Sequence, residues 1–299
     1  MQRELERTLW RGMEIGHPPQ WELAVASGVD EPGRTAFADR YLHRLDVRWR
    51  PLKYVPNLDK MLERHRRKAD KDQKLKLSDL TGGPPEWRGV VRQTPGGTVV
   101  HAGRFFREAR LLVEAAVVWP KKRNRVLENA VLASIRPQGQ EKAKRRDWQA
   151  MGLSLTAPEG FELRTSAAKV GKVRWEFDTG RRNGPQLTVE RIALPEYWLT
   201  APLREWLGEQ LGGEWKQVRQ DPASFGPHRG ERLLSRVKLG PLDSLRGRRR
   251  LRVDAAWQCP VEGRVYHVSY VKTCRAEELS LPAGFAVRCC RAVPQPAEA

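Results

Sequence analysis

The feature that most constrains this chain is that it says nearly the same thing twice. Trp10 opens the segment Trp-Arg-Gly-Met-Glu-Ile-Gly-His-Pro-Pro-Gln-Trp-Glu-Leu, and Trp148 opens Trp-Gln-Ala-Met-Gly-Leu-Ser-Leu-Thr-Ala-Pro-Glu-Gly-Phe-Glu-Leu. Trp119 and Trp257 repeat the same offset of 138, each at the end of an alternating apolar pattern. Glu22-Leu23 matches Glu162-Leu163, Arg88-Gly89 matches Arg229-Gly230, and Leu58, Met61 and Leu62 match Leu203, Trp206 and Leu207. An ordered series of anchors whose spacing drifts by a few residues is what duplication followed by loop insertion leaves. The expectation is an internal pseudo-dimer, with a first repeat over 8–137, a basic linker over 138–147, a second repeat over 148–291 and a frayed tail over 292–299.

Repeats of this size can each bury a core, which excludes a short-period solenoid. The 299 residues are 39% hydrophobic and 30% charged, a globular composition. Lys and Arg number 55 against 36 Asp and Glu, a formal net charge of +19. Residues 1–147 hold 31 of the basic and 19 of the acidic side chains, so both halves are basic. A field of this sign attracts acidic proteins, nucleic acid or anionic surfaces. The first residues are charged and lack an apolar leader core, and no run reaches the roughly 20 apolar residues of a membrane span, so a cytoplasmic protein is expected.

Each repeat reads as strand, Pro-containing turn, strand, strand, helix and closing hairpin. Short strands are expected at Met13–Ile15 and Trp21–Ala26, and again at Leu153–Thr156 and Phe161–Thr165. Asn57 is placed to cap a helix bearing Leu58, Met61, Leu62 and His65 on one face, and Thr200 to cap one bearing Leu203, Trp206, Leu207 and Leu211. Leu251, Val253, Ala255 and Trp257 alternate with polar residues ahead of a turn at 260–263. Leu111–Trp119 alternates similarly, with 120–124 as the corresponding turn and Arg125–Ile135 returning as a strand or a helix.

This order of elements, with the Pro-X-X-aromatic-Glu-Leu opening at Pro18–Leu23 and a tryptophan before a basic or glycine-containing turn, resembles the PsbP-like superfamily. The resemblance implies an antiparallel sheet with helices on both faces and a binding or adaptor role without a catalytic set. The expected fold class is α+β: two duplicated domains, each an antiparallel sheet flanked by helices.

No phosphate-binding loop, nucleophile elbow, zinc-protease helix or dinucleotide fingerprint is present, and the six histidines are scattered, so no catalytic residue is assigned. Cys259, Cys274, Cys289 and Cys290 show no Cys-X-X-Cys spacing. Were Cys289 and Cys290 in one strand they would point to opposite faces, and buried free thiols are expected, with no metal and no cofactor. With the turn at 260–263, Cys259 falls opposite Arg264 and Cys274 opposite Arg249. Four basic clusters remain as the candidate polyanion-binding residues. They are Arg64, Arg66, Arg67 and Lys68; Lys121, Lys122, Arg123 and Arg125; Lys142, Lys144, Arg145 and Arg146; and Arg246, Arg248, Arg249, Arg250 and Arg252. The sequence thus points to a non-catalytic binding or adaptor protein for an acidic protein or polyanion, with sequence-indifferent nucleic-acid binding as the alternative.

Overall fold

The structure, a computed structural model, describes residues 4–28, 30–70, 76–139, 146–237, 249–274 and 278–290. The chain divides into two compact units, Met1–Glu141 and Lys142–Ala299. Most of the expected linker, and all of the expected tail from 292 on, lie outside the described residues.

The first unit comprises β1 (Glu6–Trp10), β2 (Met13–His17), β3 (Glu22–Ala26), β4 (Gly33–Ala38), β5 (His43–Pro51), α1 (Leu58–Asp70), β6 (Lys76–Asp79), β7 (Arg88–Thr94), β8 (Gly97–Phe106), β9 (Leu111–Trp119), α2 (Arg125–Ser134) and β10 (Arg136–Pro137). Seven of these strands form one antiparallel sheet in the order β3-β4-β5-β9-β8-β7-β6. A ribbon of β1, β2 and β10 lies against it, with the His17 and Phe37 rings 4.4 Å apart.

The second unit comprises β11 (Arg146–Ala150), β12 (Leu153–Ala157), β13 (Glu162–Lys169), β14 (Lys172–Asp178), β15 (Gln186–Ala193), α3 (Pro195–Trp198), α4 (Leu203–Glu209), β16 (Trp215–Phe225), β17 (His228–Val237), β18 (Arg249–Cys259), β19 (Arg264–Cys274) and β20 (Ala286–Arg288). Its seven-stranded sheet runs β13-β14-β15-β19-β18-β17-β16, the same order element for element. Its ribbon is β11, β12 and β20, packed through Trp148 on Phe177 at 5.5 Å.

Strand alternation sorts the side chains of each sheet onto two faces. In the first unit Leu45, Val47, Val113, Ala115 and Val117 face the ribbon and are buried, while Asp46, Arg48, Leu112, Glu114 and Ala116 lie on the face that α1 covers. In the second unit Leu187, Val189, Val268 and Tyr270 are buried on one face, with Glu190, Asp254, Ala256 and His267 on the other beneath α4.

The expected α+β class is overturned. The protein is mostly β, 55% strand against 12% helix, and helices do not flank the sheets on both faces. The reason is visible in the strands: Gly97–Phe106 and Trp215–Val237 add long antiparallel pairs to each sheet, and strand ribbons supply a covering layer that helices were expected to supply. The segment 120–124 is no hairpin turn either. It joins β9 to α2, whose first turn is capped by Asn124, the Asn124 Oδ1 accepting from the Leu127 amide at 3.1 Å. Asn57 caps α1 as expected, accepting from the Lys60 amide at 2.9 Å, but the residue preceding α4 is Pro202, not Thr200.

The repeat is better registered at offset 140 than at 138. Both ribbon hairpins turn through a left-handed pair, Arg11-Gly12 and Met151-Gly152. Trp21 and Phe161 each donate their amide back to a proline, Pro18 and Pro158. The bulge after Leu23 recurs after Leu163. By these marks Trp10 corresponds to Ala150, not to Trp148. Trp119 on β9 and Trp257 on β18 occupy non-equivalent strands, because the counterpart of β9 is β19. All four tryptophans are nonetheless buried.

Candidate functional site

In both units one helix lies over the polar-bearing face of the sheet, and the two units finish that face differently. In the second, α4 closes down. Leu207 is fully buried on Leu233 and Ala256, with Leu203, Trp206 and Leu211 packed around them, and the Trp206 ring meets His267 edge-on at 5.7 Å. Beneath it His267 places Nδ1 3.0 Å from Glu190 and Nε2 3.0 Å from Asp254. Only an imidazolium donates from both nitrogens, so the ring is held charged between two carboxylates. Burial alone would lower its pKa, but Asp254 and Glu190 outweigh burial and raise it. Burial likewise works to raise Glu190, yet the bonds from His267 and Lys172 bring it down to about 2. With both ring nitrogens occupied and the site covered, this network holds strands together and offers no path for a substrate.

In the first unit α1 leaves a cleft of about 380 Å³ between itself and the sheet. Leu58, Met61 and Leu62 form its roof and Leu112 and Ala116 its apolar floor, while Asp46, Arg48, Arg88, His101 and Glu114 supply polar groups. Where α4 contributes Trp206 and Leu207, α1 contributes Met61 and Leu62, and the smaller Met61 leaves the volume open. A second, more polar hollow of about 750 Å³ shares Leu58 and Arg88 with the first and extends past Val55, Glu86, Arg104 and Phe106. Tyr54 and Val55 beside it are strongly exposed, at 85% and 61%. Asp46 receives hydrogen bonds from Arg34 and Arg48. Burial pushes its pKa up, but these guanidinium groups prevail and lower it, which makes it a poor general base. Among the described residues, no serine, threonine or cysteine lines the cleft.

Among the described residues, some members of the basic clusters are bound to carboxylates of the chain and others are exposed. Arg66 pairs with Asp79 and Arg67 with Glu63, Arg64 is exposed, and of Lys68 only the helical backbone is described. In the second cluster Arg123 is withdrawn into the fold. It binds Glu128 at 2.9 and 2.5 Å, and Glu128, fully buried, also accepts from the Trp119 indole at 2.9 Å. Lys121, Lys122 and Arg125 stay exposed, and the two lysines line a groove of about 540 Å³ with Tyr41, Leu42 and Trp119. Lys142, Lys144 and Arg145 lie outside the described residues, as do Arg246 and Arg248, while Arg146 opens β11 exposed. Arg249 stands opposite Cys274 in the β18–β19 register. Arg250 reaches over the Trp215 ring at 5.9 Å, and Arg252 is held by Asp254 at 2.7 Å.

The cleft was not visible in the sequence. Its only trace is the exchange of Met61 for Trp206 at matched helical positions, which becomes meaningful once the sheet face beneath is known. Sequence also missed a convergence of His228 with Cys259, Cys289 and Cys290, whose candidate ligand atoms all lie within 4.8 Å of one another. Trp49, Trp87 and Trp175 are buried.

No family model and no curated protein matches the chain. Among solved structures, the chain is similar to the apo immunity protein TplEi of the type VI secretion system from Pseudomonas aeruginosa, at 10% identity and a TM-score of 0.36 over 96% of this chain and 98% of that one. A likeness at this level defines no shared role. No helix among the described residues is long and apolar enough to cross a membrane.

Proposed function

We propose that this is a non-catalytic binding protein that recognises an acidic protein partner through the cleft beneath α1 of the first unit. One observation carries the reading: the equivalent face of the second unit is closed by Trp206 and Leu207, while the first keeps an apolar cavity with arginine at its mouth. An apolar base with a few fixed polar groups is the usual build of a recognition pocket. At the rim Arg48 is paired with Asp46 and Arg104 with Glu86, while Arg88, exposed and lining both hollows, is the cation that suits an apolar side chain flanked by carboxylates.

His101, Asp46 and Glu114 do share the cleft, the arrangement an enzyme would need. The clamp of Arg34 and Arg48 on Asp46, and a lining without a nucleophile, favour binding over catalysis. A protein partner is favoured over nucleic acid because Arg66, Arg67, Arg123 and Arg252 are bound to carboxylates of the chain itself, which breaks up the described basic clusters. Lys121 and Lys122 contribute long-range attraction.

The test is a Met61→Trp variant, which fills the cleft as Trp206 fills its counterpart. Peptide ligands selected on the whole chain should bind this variant at least tenfold more weakly with its unfolding midpoint unchanged. Equal affinity for both proteins would remove the cleft from the account.

A further inference from the structure

The tips of two hairpins and the end of the last strand of the second unit meet at one point. The β16–β17 hairpin turns through Gly226, at φ 59°, and Pro227, and delivers His228 as the first residue of β17. The β17–β18 register ends at Gly230 paired with Trp257, two residues short of His228 on one strand and of Cys259 on the other. Cys259 closes β18, just before the turn at 260–263. β20 ends at Arg288, so Cys289 and Cys290 are not strand residues, and the chain bends at Cys290. The alternation that would send adjacent cysteines to opposite faces therefore does not operate, and both sulfurs turn to the same point. His228 Nε2 lies 3.2 Å from Cys290 Sγ, and one candidate ligand atom from each of the four residues lies within 4.8 Å of every other.

We propose that His228, Cys259, Cys289 and Cys290 form a structural zinc site. Three thiolates and one imidazole are an established donor set for tetrahedral zinc, and bond lengths of about 2.3 Å to sulfur and 2.0–2.1 Å to nitrogen put neighbouring ligand atoms roughly 3.5–3.8 Å apart. The 3.2 Å between His228 Nε2 and Cys290 Sγ and the 4.8 Å upper bound on all the separations bracket that range, so closing on the ion asks for movements of about 1 Å. Four protein ligands leave no open position, which makes the site structural rather than catalytic. Its surroundings are rigid: Phe225 stacks on Trp257 at 4.6 Å and Trp257 on Tyr266 at 5.4 Å, with Phe225 three residues before His228 and Trp257 two before Cys259. The ion would replace the three thiol protons, released on binding, and tie the chain following β20 to both hairpin tips. Cys274, at the far end of β19, lies outside the cluster and serves as the internal control.

The experiment is metal analysis of the full chain purified under reducing conditions without a metal-affinity tag, followed by cobalt(II) substitution. One zinc per chain is expected, and the cobalt form should show thiolate charge-transfer and tetrahedral ligand-field bands. Cys274→Ser should keep both, His228→Ala should shift the bands, and Cys290→Ser should lower zinc affinity at least tenfold. Should the cysteine variants fail to fold, the wild-type chain still decides. Titrating its thiols with a mercurial beside a zinc-sensitive dye should release one zinc as three thiols react. A chain that takes up neither zinc nor cobalt stoichiometrically while its four thiols remain reduced would overturn the proposal, as would a cobalt spectrum without thiolate bands.

Discussion

Arg123 shows how far a side chain's role departs from its sequence neighbourhood. In the run Lys121-Lys122-Arg123-Asn124-Arg125 all the cations look alike, but Glu128, three residues beyond Arg125, is buried beneath Trp119 and claims Arg123 alone. A buried carboxylate that loses its partner is costly, so Arg123→Ala should destabilise the protein by about 3–5 kcal/mol in urea unfolding. Lys122→Ala, on the exposed connection between β9 and α2, should change stability by less than about 0.5 kcal/mol. His267 makes a second residue-level prediction, with the sign set by linkage. Its raised pKa means its contribution is complete below the ordinary histidine value of about 6.5 and is lost as pH rises through the folded-state value. The depressed pKa of Glu190 contributes above the ordinary value of about 4.3, and that contribution is lost as pH falls toward about 2. Urea midpoints should therefore decline on both sides of a window between about pH 4.3 and 6.5 as far as this network contributes, and His267→Gln should abolish the alkaline decline. An alkaline limb that survives unchanged in His267→Gln would mean the ring does not carry a proton in the folded protein.

At the scale of elements, the most legible features were those with local causes. The two-residue alternation of Leu251–Trp257, the turn at 260–263 and the helix beginning after Asn57 all follow from patterns a few residues long, and the resulting register sets Cys259 against Arg264 and Cys274 against Arg249. What escaped was decided by partners distant in sequence. Arg125–Ser134 had an apolar pattern compatible with strand or helix, and the Asn124 cap together with the burial of Val131 and Leu132 settled it as helix. The ribbons could not be foreseen as a covering layer, because two-residue strands such as β10 have no pattern of their own and exist through pairing with β2. The α1 cleft is likewise an emergent property: it requires that Met61, 46–48, His101 and 112–116 be brought together from four elements. Asn124→Ala should cost roughly 1 kcal/mol, since it removes the acceptor for the Leu127 amide without touching the packed face of α2. A loss of several kcal/mol on thermal or urea unfolding would show that Asn124 does more than cap.

For the whole molecule, two sheets of the same strand order carry different faces beneath their helices. The net charge of +19 is an excess that no internal ion pair can neutralise, so it remains as long-range attraction, and the pairs made by Arg66, Arg123 and Arg252 change only which cations are left to carry it. On the proposed reading this attraction is diffuse, and association of labelled single-stranded DNA with the full chain should fade by physiological salt. The measurement that tests the central claim most directly is a peptide-display selection on the full chain, with each enriched peptide then titrated by calorimetry against wild type and Met61→Trp at two salt concentrations. The predicted result is a set of peptides with an apolar residue flanked by Asp or Glu, binding weakened at least tenfold by Met61→Trp and moderately by salt. Peptides that bind the two proteins equally, or a selection that enriches no acidic-apolar motif, would contradict it.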